Sequence, residues 1–489
     1  MNINYSFCTI LMVIIYLNLL IVTPALERVS ANPVIESVNV GNAPRGITFN
    51  PINDDVYVTN QRSGEVSVID SLSNTVVDTI PVGGSPVDIV FNPSNGNLYV
   101  ANRGSNEISV IDSLSNTVVD TIPVGGSPVD IVFNPSNGNL YVANRGSNEI
   151  SVIDSLSNTV VDTIPVGGSP WPLLVDSVNN KIYTGYVVLG GPSVKGNVSI
   201  IDGSSNTEID SVEVGGFPRD LEFNPINGDI YVAIPNSGEN AGHVSVIDGT
   251  TNRLVATIPV GINTYDLEFN PSSNNMYVSN SDTHDVYVID TLNRVIDTIP
   301  IERYPTTMYF NPANDNVYID SNNSQSVSVI DSSTNEVIKS VSVGDGVDAN
   351  RVMILNPANN YLYVTNFASD NISVIDSSNN DVISTIPVDH GPIDVIFNPF
   401  NDYLYVTNIE SDTVSIIKDA SSPTEEPKKI IDILRNIIQN PLDITNSIDS
   451  ANDIKEVLTD NNRDNDQLAC NLLDSGDEYA SNIRKILNC

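Results

Sequence analysis

The sequence predicts an all-β protein: a single closed β-propeller of about nine four-stranded blades, followed by a small C-terminal helical module. Three observations carry this. Residues 67–108 and 109–150 are identical over 42 positions. The pattern recurs in degraded form, so that Tyr57, Tyr99, Tyr141, Tyr183, Tyr231, Tyr277, Tyr318, Tyr363 and Tyr405 mark nine copies. Each copy holds four short runs rich in Val, Ile, Tyr, Phe and Thr, divided by Asn, Gly, Pro and Ser clusters, which is the composition of strands and turns. Four strands in roughly 40–45 residues is the period of a propeller blade. No helical periodicity interrupts the repeat.

Within the second copy the strands are expected at residues 87–92, 98–101, 108–112 and 118–124. The ninth copy supplies three strands and stops at Ile417. The segment VIESVNVG at residues 34–41 matches VVDTIPVG at 76–83. It is therefore expected to serve as the fourth strand of the last blade, closing the ring and removing exposed sheet edges. A smaller ring with loosely attached extra repeats is the other arrangement, since nine blades exceed the usual number.

The second strand of a copy carries a recurrent tetrad. It reads YVTN at 57–60, 363–366 and 405–408, YVAN at 99–102 and 141–144, and YVSN at 277–280. With FNP before it and VSVID after it, the pattern closely resembles the YVTN β-propeller repeat family of archaeal surface-layer and related proteins. The resemblance spans residues 34–418 and implies a propeller that serves as a surface-protein module. The fourth copy departs furthest, with YTGY at 183–186 and Val-Asp-Ser in place of Phe-Asn-Pro at 175–177.

Outside the repeats, residues 1–26 read as a secretory signal: an apolar run from Phe7 to Val22, then Ala25 and Ala31. No Lys or Arg precedes the run, so an uncleaved N-terminal anchor is the rival. No later stretch is long and apolar enough to span a bilayer. Cys8 would leave with the signal, and Cys470 and Cys489 would form one disulfide in an exported chain. Residues 419–427 form a polar linker. Residues 428–489 turn helical in pattern, with Ile430, Ile431, Leu434, Ile437 and Ile438 at helical spacing and Pro441 as a stop. The expected location is secreted, extracellular or cell-surface associated. The sequons at Asn197, Asn322 and Asn371 are candidate glycosylation sites.

The formal net charge of -39, from 60 acidic and 21 basic residues, disfavours nucleic acid and anionic lipid as partners. It favours cations and basic surfaces. Strand alternation puts the connections from fourth to first strand and from second to third strand on one side of the ring, called here the first face. Nearly all length variation lies there, in copies four, five and eight, whereas the spacing between first and second strands is constant. Loops on a rigid scaffold are where binding concentrates. Trp171, Arg219 and Tyr265 occupy one column on this face, and His243 and His284 lie in its loops. These five are candidate binding residues.

Two Asp columns are candidates for chemistry. Asp70, Asp112, Asp154, Asp202, Asp248, Asp290, Asp331 and Asp376 end the third strand and are expected to hold the following turn. Asp88, Asp130, Asp220, Asp266 and Asp394 start the first strand and should gather near the channel mouth, as turn caps or as oxygen ligands for Ca²⁺. No nucleophile-elbow, zincin, dinucleotide or P-loop motif occurs, and no other cofactor is implied. The resulting expectation is a non-enzymatic binding, adhesion or surface-layer module with a protein or glycan partner at the cell surface. The alternative is a propeller-fold enzyme, lactonase- or lyase-like, with its site at the channel mouth.

Overall fold

A computed structural model describes residues 34–188, 195–235, 241–321, 324–345, 352–357 and 359–418. The signal, the linker, the helical module, the Cys470–Cys489 pair and Asn322 lie outside the described residues. Thirty-six strands form nine antiparallel four-stranded sheets, and each blade uses consecutive strands in chain order except the last. In the second blade the strands are Pro86–Phe91, Asn97–Asn102, Glu107–Asp112 and Thr117–Pro123. These bounds agree with the expected ones to within a residue or two. Blade 9 contains Pro392–Asn398, Tyr403–Asn408 and Thr413–Lys418, and its outer strand is Val34–Asn39 from the other end of the chain. Val38 faces Val414 and Asn39 faces Thr413. The ring is closed with nine blades, as the sequence implied.

The core is distributed, not central. Nine apolar clusters each straddle one blade boundary, including that between blades 9 and 1, where Val38, Val414 and Ile416 meet Ile47, Val56 and Val58. Second and third strands are buried almost throughout, while outer strands such as Thr75–Pro81 bury little beyond Ile80. First strands line the channel and touch the first strands of neighbouring blades, blade 9 against blade 1 among them.

The repeat's Tyr and Asn explain how blades lock together. Asp70 Oδ1 accepts the N–H groups of Leu72 at 3.0 Å and Ser73 at 2.6 Å, which fixes the turn after the third strand. The Ser73 bond, foremost, holds the Asp70 carboxyl below its usual value. The turn role expected for this Asp column is the one found. Within the same turn, Asn74 and its equivalents adopt left-handed backbone (φ 55° at Asn74, 50° at Asn116), which Asn tolerates better than most residues. That conformation turns each Asn amide toward the preceding blade. There the Tyr hydroxyl donates to it: Tyr57 to Asn116 at 2.7 Å, Tyr99 to Asn158 at 2.8 Å, Tyr141 to Asn206 at 2.8 Å. Tyr405 of blade 9 reaches Asn74 of blade 1 at 3.3 Å, so the clasp runs across the closure too.

Blade 4, marked out by its sequence, breaks this rule. The Tyr183 hydroxyl is buried without a hydrogen-bond partner among the described residues. Lys181 crosses to blade 5 instead, donating to Gly249 O and to Asn252 Oδ1 at 2.8 Å. Its extra residues also lengthen a hairpin, Lys181–Val188 with Lys195–Asp202, so Asn197 lies in a strand and not in a loop. Among the described residues the only helix is a three-residue 3₁₀ turn, Phe367–Ser369, and none is long and apolar enough to cross a membrane.

Candidate active site at the channel mouth

The first strands of blades 5 and 6, Asp220–Phe223 and Thr264–Asn270, bring together four carboxylates. Asp220 and Glu222 are two residues apart and so share one side of their strand, as do Asp266 and Glu268 on theirs. Adjacent first strands converge at the channel, so the two pairs face each other's field. Three carboxylates hook onto the next blade. Asp220 Oδ2 accepts from Leu267 N at 2.9 Å, Asp266 Oδ2 from Met308 N at 2.7 Å, and Glu268 Oε1 from Phe310 N at 2.9 Å. Glu222 has no hydrogen-bond partner among the described residues.

Crowding four acids in a desolvated groove disfavours charge on all of them. Burial and the charges of Asp220 and Glu268 push Glu222 up to about 8. Burial, opposed by the Phe310 N–H and reinforced by Asp220, pushes Glu268 up to about 7. Asp266 is raised well above the usual carboxylate range by burial and by Asp220, and Asp220 is raised by burial. Glu222 and Glu268 therefore exchange protons around neutrality, where an acid–base pair is most useful.

Arg219 and Tyr265, one residue before Asp220 and Asp266, stack across the same blade boundary. The Arg219 guanidinium carbon lies 3.5 Å from the Tyr265 ring centroid. Cation–π contact fixes the guanidinium at the rim, one residue from the acids, and its charge is felt at Asp220.

The other predicted residues fall in separate places. Asp88 Oδ2 accepts from Ile131 N at 3.2 Å and Asp130 Oδ2 from Leu173 N at 3.0 Å, the same blade-to-blade hook. Burial and Asp88 raise Asp130 to about 6, and burial with Asp88 raises Asp394 to about 7. Among the described residues, no three or more His, Cys, Asp or Glu side chains are arranged to hold a metal ion. His243 Nε2 lies 2.8 Å from Val214 O, while His284 Nδ1 accepts from Tyr304 N at 3.0 Å with its ring edge-on to Tyr304. The two imidazoles are thus engaged separately and form no pair. Trp171 is exposed at the rim of blade 4, anchored by its backbone N–H to Gly185 O at 2.8 Å. Asn371 is a half-buried strand residue whose amide bonds both Asn366 and Ser369.

Glu222 and Glu268 were missed by sequence reasoning. Their column holds Val90 and Val132 in the identical repeats and no other charged residue, so a charge in an otherwise uncharged first-strand column was the available signal.

Residues 32–160 match the family model described as "Lactonase, 7-bladed beta-propeller", about a quarter of the chain. No curated protein matches at a significant level. Among solved structures, one similar chain is the dihydro-heme d1 dehydrogenase NirN in complex with DHE. It has 15% identity and a TM-score of 0.51, with 82% of this chain and 79% of that one covered. Another is hydrazine synthase of Kuenenia stuttgartiensis, at 18% identity and a TM-score of 0.44, covering 82% of this chain and 99% of that one. The structural likenesses speak to fold alone. The lactonase match corrects the expectation that the chain is not an enzyme: its repeats resemble a family of lactone-opening propellers, and a catalytic constellation need not announce itself by a linear motif. The surface-layer role finds no support in these comparisons.

Proposed function

We propose that this protein is a propeller-fold hydrolase that opens a lactone or related ester at the channel mouth of blades 5 and 6. The observation that carries the reading is the pair Glu222 and Glu268, raised to about 8 and about 7 beside a rim arginine. The match to a lactonase family model supports the same reaction class. Between those two values Glu268 is the carboxylate, steadied by Phe310 N–H, and Glu222 retains its proton. Glu268 takes a proton from water as the oxygen adds to the carbonyl carbon. The ring C–O bond then breaks, and Glu222 gives its proton to the departing alkoxide. Water is consumed and a hydroxy acid leaves, with Arg219 placed to pair with the new carboxylate.

The test is hydrolysis of a panel of γ- and δ-lactones followed by pH-stat, with Glu222→Gln and Glu268→Gln alongside. A bell-shaped kcat/KM profile is expected, with a loss of roughly 10²–10⁴ in each variant. Wild-type protein that opens no lactone or simple ester above the buffer rate would end this reading.

A further inference from the structure

We infer that the first face of blades 1–3 is a binding surface for an anionic polysaccharide, separate from the channel-mouth acids. The chain has 21 basic residues against 60 acidic ones, so free arginines should be rare. Yet Arg45, Arg62, Arg103 and Arg145 all stand exposed on this one arc of three consecutive blades. None pairs with a carboxylate among the described residues. Arg45 Nη1 reaches only Gln61 Oε1 at 3.4 Å, and Arg103 Nε only Ser127 Oγ at 3.3 Å. The acids that these loops do carry, Glu65, Glu107 and Glu149, lie over Gly41, Gly83 and Gly125, where an added Cβ would meet their carboxylate oxygens within 2.1, 2.4 and 2.2 Å. They are turned aside from the arginines.

Their presentation is rigid. Arg103 N and Arg145 N donate to Ser85 O and Ser127 O, each at 3.0 Å, and Gly104 and Gly146 donate to Gly84 and Gly126, each at 2.7 Å. Arg62 N donates to Asn42 O at 3.1 Å. Each turn is thereby nailed to the loop beside it, and Arg103 and Arg145 repeat one blade apart on the same backbone bonds. Across the ring the same face is predominantly acidic: Asp282, Glu302, Asp370, Asp389 and Glu410 outnumber Arg303 and His390 on blades 6–9. An anionic ligand is steered to one arc and repelled from the other.

The chemistry between the arginines selects the ligand class. Gln61, Ser85, Ser105 and Ser127 offer hydroxyl and amide partners, and no aromatic ring lies between the arginines for a base to stack upon. A chain with one acid group per sugar and hydroxyls between suits such an arc. Guanidinium forks bind carboxylates bidentately.

The experiment is calorimetry of the full chain with alginate-type polyuronate oligosaccharides at physiological ionic strength, where screening confines the rest of the protein's charge to about 8 Å. Expected is saturable binding, weakened about tenfold or more in Arg103→Gln/Arg145→Gln and unchanged in Arg253→Gln on an outer strand. Absence of binding, equal binding in the double variant, or tighter binding of a single-stranded polynucleotide than of the polyuronate would each overturn the proposal.

Discussion

The acid quartet makes a pH prediction of definite sign. Glu222 titrates near 4.5 when unfolded and at about 8 in the fold. A carboxyl raised in this way favours the folded state below its unfolded value and loses that contribution as pH rises through the folded one. At about 1.4 kcal/mol per pH unit the whole shift corresponds to about 5 kcal/mol. Because the side chain is half-buried and shares its field with Asp220 and Glu268, about 2 kcal/mol is the expected share for Glu222 alone. Glu222→Gln, a neutral isostere, should equal wild type near pH 5 and exceed it by about 2 kcal/mol near pH 9. Urea midpoints at several pH values measure this directly. The turn aspartates act oppositely: Asp70, Asp202, Asp248 and Asp331 are lowered, chiefly by bonds to their turns, so their contribution is present above 3.8 and fades as pH falls through their folded values. Wild-type stability should therefore peak between the two limbs. Parallel curves for wild type and Glu222→Gln from acid to alkaline pH would refute the argument that this carboxyl is desolvated among like charges.

Other expectations follow from the clasps. Tyr141→Phe removes the bond to Asn206 and should lower stability by about 1 kcal/mol, whereas Tyr183→Phe should be nearly neutral because that hydroxyl has no partner. Chemical denaturation of the two variants side by side checks the contrast. Lys181→Met leaves the acceptors on buried Gly249 and half-buried Asn252 without their donor and should destabilise more than Tyr183→Phe, in the same assay. Deleting residues 34–39 uncovers the edge of Thr413–Lys418. Light scattering should then show concentration-dependent association that wild type lacks. Gly104→Ala would set a Cβ 2.8 Å from Gly84 O, backbone that cannot yield cheaply, and should lower thermal stability by about 1–3 kcal/mol.

Most of the fold was legible because the repeat states each requirement nine times. Period, turn residues and the match of residues 34–41 to an outer strand were enough to give strand order and closure. What the Tyr and Asn columns do was not legible. Tyr57 and Asn116 are 59 residues apart and sit in different blades, a pairing that no local pattern reveals. The first-strand Asp column is visible in the sequence, but Asp88, Asp130, Asp220 and Asp266 partner the next blade's backbone, which sequence cannot display. Glu222 and Glu268 escaped notice for a different reason. A repeat draws attention to what recurs, while a catalytic pair is needed only once and appears as a departure. His243 and His284 attracted attention as rare residues in neighbouring loops, yet each is absorbed by a nearby backbone group.

The same logic explains how a ring can grow without losing its chemistry. A regular blade carries both halves of the clasp, a Tyr for the following blade and a turn Asn for the preceding one. An inserted copy such as 109–150 therefore meets its neighbours through contacts already in place, and ring size is set by how many copies close, not by any special joint. Blades 2 and 3 show this: Asp88, Tyr99 and Asn116 make the same kinds of bond as Asp130, Tyr141 and Asn158. Chemistry that is needed only once must then sit where the repeat is broken, whereas a surface built from repeated residues can grow with the copies. Blade 4 trades its tyrosine bond for Lys181, and blades 5 and 6 trade the apolar column for Glu222 and Glu268. These three consecutive blades also carry Trp171, Arg219 and Tyr265 at the rim. Substitutions that touch the recurring columns should accordingly move stability around the whole ring, whereas those in the aberrant columns of blades 5 and 6 should move activity.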